Sequence, residues 1–430
     1  MARARGANAI MALEFNGGAY GAIPTGNWHK MPFVSSNLGE EQALIESDLL
    51  GYGRAPQPPS KDVINDDGDV QVPVDLRNFG YWLKLLLGVP ATAAGVAASG
   101  AYVFSAQPAN NAIITVGGQA FTFVTGTPAA NQIKIGATLA DTLFNAVLAL
   151  NASVVAGVAV ASYSLDLAGT TITITHDTLG TGGNAFTIVA GSSPATNATP
   201  SGATLAGGSA SGPFNNVYEA GALTLPDACI EIGLPDVPSY GVNFGCLANT
   251  LAIEVQRSGH LSAAIGLICQ GETRLPTSSA GTPTEQVIER FSQFTSQIER
   301  AGTLLGDIVS GGLNFSNGLD KVEVVRQDGR IAGADPGMMS ATGNVVVRFK
   351  DNVMFDLAIA GEPIDLAFGW RISASKRLRI VLHSVFLPKP RLPLSGPGGV
   401  QATFAYQSSA QSGTSLFLTA TLVNDIDHSA

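Results

Sequence analysis

At 430 residues the chain is long enough for two or three domains, each burying its own core. Its 23 Lys and Arg stand against 33 Asp and Glu, a formal net charge of -10, which argues against a protein that grips nucleic acid, because phosphate binding is carried by cations. The same acidity suits a wall that lets DNA pass. With 13% charged residues and 50 glycines, the composition fits a turn-rich β protein, alone or buried against neighbours.

The start, MARARGANAIMALEF, has Arg3 and Arg5 but no continuous apolar core, so it does not read as a secretory signal. FNGGAYGAIPTGN follows, Gly-rich enough to cradle a phosphate but without a strand-to-helix context, and is expected to be a flexible arm. QALIESDLL at 42–50 reads as a strand. In NDDGD at 65–69 a calcium loop aligned on Gly68 would place Val63 and Val74 where end carboxylates belong, so the stretch is expected to be a turn entering a strand at Val70. Val70, Val72 and Val74 alternate at period two, and YWLKLLLG then predicts a short helix closed by Gly88.

Between residues 104 and 213 charge almost vanishes. NAIITVGGQAFTFVTG predicts a hairpin turning at Gly117-Gly118. ATLADTLFNAVLALNAS predicts a helix capped by Thr138 with Asp141 three residues on, its stripe running Leu139, Leu143, Val147 and Leu150. More strands follow, with His176 and Asp177 as a turn pair. The most apolar stretch, 145–165, is broken by Asn151, Ser153 and Ser162 and reads as a helix end and a strand, not a membrane span. PATNATPSGATLAGGSASGP at 194–213 reads as a low-complexity linker back to the host.

Downstream, ACIEIG and NTLAIEVQRSGHLSAAIGLICQGE read as strands, and TPTEQVIERFSQFTSQIER at 282–300 predicts a helix opening near Thr284, with Val287, Phe291, Phe294 and Ile298 on one face. GNVVVRFKDNVMFDLAIAG at 343–361 then repeats the grammar of 68–88, with Val345 standing 275 positions after Val70. GYGR at 51–54 precedes the first copy as QDGR at 327–330 precedes the second, and each is preceded by a candidate strand, 42–50 or 319–327. Strand, loop, strand and helix in one order point to a duplicated domain. IDLAFGW, LRIVLHSVF, VQATFAYQ and SLFLTATLV complete the second copy as strands. The chain divides accordingly: 1–103 and 214–280 form the first domain, 104–213 an inserted module, and 281–430 the second domain.

No catalytic constellation is present. His29, His176, His260, His383 and His428 fall in no paired metal spacing, and GxSxG, HExxH and GxxxxGK[ST] are absent. Cys229, Cys246 and Cys269 fit neither a zinc pattern nor an even disulfide framework and are expected to be buried free thiols. No metal or cofactor is expected.

GYGRAPQPPSKDVINDDGDVQVPVDLRNFGYWLKLLLG resembles the first half of the tail tube proteins of long-tailed, siphovirus-like bacteriophages, and GDIVSGGLNFSNGLDKVEVVRQDGRIAGADPGMMSATGNVVVRFKD resembles the matching part of the second half. The resemblance covers 15–100 and 220–425, while the insertion, with GGNAFTIV, is similar to small modules of phage tail proteins. It implies a mainly β fold: two tandem β-sandwich domains, each with a flanking helix, plus a small α+β (ββαββ) decoration-type insertion. It implies no enzyme but a structural virion protein, assembled in the host cytoplasm into stacked trimeric rings that conduct double-stranded DNA during ejection without specific binding. Implied partners are further copies, tail terminator and distal tail proteins, and a tape measure protein in the lumen, with no membrane. The loops after Gly53-Arg54 and Gly329-Arg330 would reach adjacent rings, so Arg54, Asp66, Asp67, Arg330, Asp335 and Met338 are the candidate inter-subunit or inter-ring contacts. A secreted or surface adhesion protein with a carbohydrate-binding insertion would explain the Gly, Thr and Asn content but not the repeated Gly-Arg loops.

Overall fold

The computed structural model describes residues 3–429 except Gly51, Gly53, Ala301, Pro393, Ser395 and Pro397, so the glycine of Gly53-Arg54 lies outside the described residues. The first half opens with β1 (Ile10–Phe15), β2 (His29–Met31), β3 (Ser35–Ser36), β4 (Gly39–Ile45), β5 (Ser60–Pro73), α1 (Phe79–Leu87) and β6 (Ala91–Phe104). The module follows as β7 (Ile113–Val116), β8 (Gln119–Val124), β9 (Gln132–Lys134), α2 (Leu139–Asn151), β10 (Ala161–Leu165), β11 (Thr171–Leu179), β12 (Ile188–Ala190) and β13 (Ala198–Pro200). The chain returns through β14 (Ser209–Glu219), β15 (Ala228–Leu234), β16 (Ser239–Val255), β17 (Ser262–Cys269) and β18 (Gly271–Leu275). The second half comprises β19 (Ser296–Arg300), β20 (Thr303–Leu304), β21 (Ile308–Ser316), β22 (Asp320–Val322), β23 (Gly333–Asp335), β24 (Ser340–Arg348), α3 (Val353–Ala360), β25 (Ile364–Ser373), β26 (Lys376–Phe386), β27 (Gln401–Ser408) and β28 (Leu418–Asn424).

Two layers cross both halves. The front sheet runs β4-β5-β17-β16-β21-β24-β27, antiparallel throughout, and the halves meet where β16 pairs with β21 from Thr250↔Ser316 to Val255↔Gly311. The back sheet runs β6-β14-β28-β26-β25-β19. Alternation explains why they stack: Val70 and Val72 on β5, Leu251 and Ile253 on β16, and Val345 on β24 face Phe368 and Trp370 on β25 and Ile380 on β26 in one continuous core. The repeated grammar is thus two strand-to-helix units, β5 into α1 and β24 into α3. Gly88 (φ 103°) and Gly361 (φ 68°) end the helices, as the sequence implies.

The module has its own core, in which Leu143, Val147 and Leu150 of α2 meet Ile114, Phe121 and Phe123. Thr138 and Asp141 form the expected capping box, and Gly117 and Gly118 (φ 55° and 82°) make the hairpin turn that side chains with a Cβ resist. Ala98, Tyr102 and Phe104 also belong to this core, because β6 runs unbroken from the host and β11 pairs along its far half. The stretch read as a linker is tied down too: Leu205 is buried in the module core, and Ser99 and Ala206 exchange backbone hydrogen bonds of 2.9 and 3.0 Å.

Three further sequence expectations are corrected. Residues 282–300 form no long helix: Thr284 pairs with the backbone of Trp28 and Lys30, Arg290 bridges Asp75, and only Gln293–Thr295 turn before β19. The expected stripe is split, Phe291 and Ile298 being buried while Val287 and Phe294 are exposed. Thr282, Thr284, Val287 and Ile288 are β-branched, and Pro283 gives up a donor, so strand-edge pairing wins. NDDGD is not a turn but part of β5, where a Cβ on Gly68 would lie 2.8 Å from the Asn37 carbonyl and the Leu38 backbone. Cys246 and Cys269 face each other across β16 and β17 and form a disulfide, leaving Cys229 as a buried thiol.

Candidate assembly interface

The front sheet ends in two edges. β4 pairs on one side with β5, and β27 pairs with β24 on one side but with β26 only at Gln407 and Ser408. β27 alternates exposed and buried residues along its whole length, while Glu41 to Ile45 of β4 are exposed. Open ladders of this kind offer backbone donors and acceptors to another strand. The face turned from the core carries Asp69 and Gln71 on β5, Thr250 and Glu254 on β16, Asn314 on β21, Asn344 on β24 and Thr403 on β27. It is polar and sparsely charged, with Arg348 at the end of β24.

The connection between β21 and β24 does not project freely. It folds back over the first half, where Leu319, Ile331 and Ala334 pack on Leu247 and Ile268. There the Arg330 guanidinium donates to Glu40 (2.7 Å) and to the Glu272 carbonyl (3.1 Å) and lies 5.2 Å above the Phe244 ring. Lys321 pairs with Asp67 at 2.6 Å. Behind them sits Asp66, 3% exposed, with neither carboxylate oxygen hydrogen-bonded. Burial first, then the charges of Glu272, Glu40 and Asp67, push its pKa up to about 7 against the pull of Arg330.

The candidate contacts therefore separate. Asp66, Asp67 and Arg330 gather in one clasp between the halves, whereas Arg54, Asp335 on β23 and Met338, 93% exposed, remain on the surface. Glu40, which holds Arg330 through its carboxylate, and Glu272, which does so through its backbone carbonyl, carry no motif that marks them in the sequence.

The two helices are covered differently. Every residue of α1 is buried; the Tyr81 ring stacks on His29 (4.3 Å) and meets His428 edge-on (5.0 Å), while Lys84 lies 4.8 Å over Phe15 of β1. Burial pulls the His428 pKa down to about 4, helped by Lys84. On α3 only Met354 and Ala358 are buried, and Val353 and Ile359 face solvent.

The module reaches the second half as well. Leu165 bridges Thr303 in parallel, Leu165 N donates to the Gly302 carbonyl, and Arg300 lies 5.1 Å over the Phe144 ring.

Among the described residues no group of His, Cys, Asp and Glu is placed to hold a metal ion, and no helix is long and apolar enough to cross a membrane. The comparison with curated proteins finds no match. A family model described as phage tail tube protein matches the chain twice, over residues 16–225 and over residues 200–408.

Proposed function

Because the chain belongs to the phage tail tube protein family and is a structural component of the virion tail, we propose that three copies close a ring of pseudo-sixfold symmetry and that such rings stack into the tube of a long, siphovirus-like tail. The observation that carries this reading is the front sheet, which already joins two tube units edge to edge within one chain and leaves β4 and β27 open at its ends. Pairing those edges between copies consumes both open ladders of the front sheet, as closure does in a barrel. The rings assemble in the host cytoplasm.

The core-averted face of the front sheet lines the channel in this reading. Asp69 and Glu254 lie on it in a chain of net charge -10, and repulsion acting over about 8 Å at physiological salt keeps DNA moving during ejection. A tape measure protein occupies the lumen before DNA does, and tail terminator and distal tail proteins cap the ends. The module faces outward as a decoration.

Cryo-electron microscopy of the purified, assembled protein tests this. The expected map has three chains and six tube units per ring. Six whole chains per ring, or a lumen lined by the back sheet, overturns it.

A further inference from the structure

The hairpin that joins β25 to β26 gathers cations in an acidic chain. RISASKRLR at 371–379 holds four of the 23 Lys and Arg and no Asp or Glu. Lys376 is paired with Glu289 at 2.8 Å. The other three share one face: Trp370, Leu378 and Ile380 point into the core, so Arg371, Arg377 and Arg379 point away from it, and Arg371 stands directly opposite Arg377 in the ladder.

Like charges in that position destabilise a sheet. Arg379 meets the Glu299 carboxylate at 2.8 Å, whereas neither Arg371 nor Arg377 has an ion-pair partner among the described residues. The Arg377 guanidinium donates to the Ala374 carbonyl in the turn (3.3 Å), and burial together with the charges of Arg371 and Arg379 holds its pKa below the ordinary value. The other acids of this face, Asp365 and Glu219, act on His383 at the far end of β26. A pair that weakens its own hairpin is accounted for by an anion that sits between the two guanidinia.

Geometry narrows the class of that anion. Opposite residues of a ladder stand about 5 Å apart and alternate residues of one strand roughly 7 Å apart, so three guanidinium forks crowd over a patch no wider than two linked phosphates. Arginine forks match oxyanions with paired N–H donors. Ser373 and Ser375, both exposed at the turn with hydroxyls 3.2 Å apart, add two further donors. A carboxylate has two oxygens to offer this many donors; a phosphate has three, and a linked phosphate presents a second set.

We propose that the β25–β26 hairpin is a binding site for clustered phosphate groups, clamped between Arg371 and Arg377 with Arg379 alongside and the Ser373 and Ser375 hydroxyls donating at the rim. The shared chemistry is that of a soluble polyphosphate or of phosphate headgroups on a lipid surface. The site is complete within one chain and does not depend on ring formation.

Calorimetric titration of the full chain with sodium tripolyphosphate, and flotation with phosphatidylglycerol-containing phosphatidylcholine vesicles, test it and separate the two sources. Tripolyphosphate should bind once per chain and raise the melting temperature of the wild type. Arg371→Glu sets an opposite charge across from Arg377, so without ligand it should melt higher than wild type, yet bind tripolyphosphate at least tenfold more weakly and lose the ligand's thermal shift. Lost binding in a more stable protein cannot be misfolding. Binding of tripolyphosphate alone assigns the site to a soluble anion, and vesicle capture that the same substitution abolishes assigns it to a headgroup. Binding of neither probe, or binding untouched by Arg371→Glu, overturns the proposal. So does equal binding of polyglutamate, which would mark an acidic protein partner instead.

Discussion

The guanidinium of Arg330 lies 2.7 Å from the carboxylate of Glu40, a residue 290 positions earlier in the chain. Both side chains are about four-fifths buried, and the same Glu40 oxygen also accepts the Glu272 amide at 2.8 Å. One ion pair therefore fastens the second half's long connection to the edge strand of the first. Arg330→Ala should destabilise the folded chain by about 2 kcal/mol, because it strips the ion-pair partner from the Glu40 carboxylate and the opposing charge from buried Asp66. Arg330→Lys should recover only part of the loss, since an ammonium cannot reach Glu40 and the Glu272 carbonyl as a planar fork does. Denaturant unfolding measures both, and an Arg330→Ala midpoint equal to wild type would refute the clasp.

Asp66 sets a pH dependence within that clasp. Its folded pKa, about 7, stands above the ordinary 3.8, so between those values the folded chain holds more protons than the unfolded one. Stability from this group therefore falls as pH rises from 4 to 7, and the cost is fully present above 7. Asp66→Asn should melt higher than wild type at pH 8, with the advantage shrinking towards pH 5. An equal difference at both pH values counts against the assignment.

His428 acts in the opposite sense. With a folded pKa of about 4 against an ordinary 6.5, it stays neutral while the unfolded chain takes up a proton, so stability is lost as pH falls from 6.5 towards 4. The two slopes oppose each other in wild type. In the Asp66→Asn background the melting temperature should decline from pH 6.5 to 4.5, and more steeply than in a further His428→Asn variant, because burial also lowers the pKa values of His29 and His383, which keep their share of the slope. A flat or rising profile there would show that His428 is not held as described.

The module should be removable at a defined point. Ala94 and Phe214 face each other on β6 and β14, so replacing residues 95–213 with Asn-Gly would close a two-residue hairpin. The host core contains none of the module's side chains, and the expected product is a folded chain that still forms tubes, of smaller outer diameter. Loss of the Arg300–Phe144 contact should cost about 1 kcal/mol. Soluble monomers, or a changed lumen in micrographs, would place the module in the wall.

What could be read in the sequence was whatever a short window determines. The Thr138–Asp141 cap, the Gly117-Gly118 turn and the valine alternation before each helix all depend on neighbours within a few residues, and the duplicated order shows because such windows recur. Residues 282–300 misled because Val287, Phe291, Phe294 and Ile298 match a helical period, while what holds them is backbone pairing with Trp28, Lys30 and Asp75 far upstream. The same distance hides the clasp. Asp66 looks like a solvated turn acid until Glu40 and Glu272 are brought beside it, and nothing in the text around Arg300 announces a buried cation. Cys246 and Cys269 pair because two strands fall into one register, which spacing alone does not reveal.

The place of β28 has a consequence for the order of synthesis. It lies between β14 and β26, so residues 418–424 complete a layer begun by residues of the first half. While a chain is being translated, β14 keeps a bare ladder until that late strand leaves the ribosome. A half-made polypeptide then holds an incomplete back layer and cannot present a finished unit to tubes growing in the same cell, so the pool available for polymerisation is restricted to chains translated through that strand.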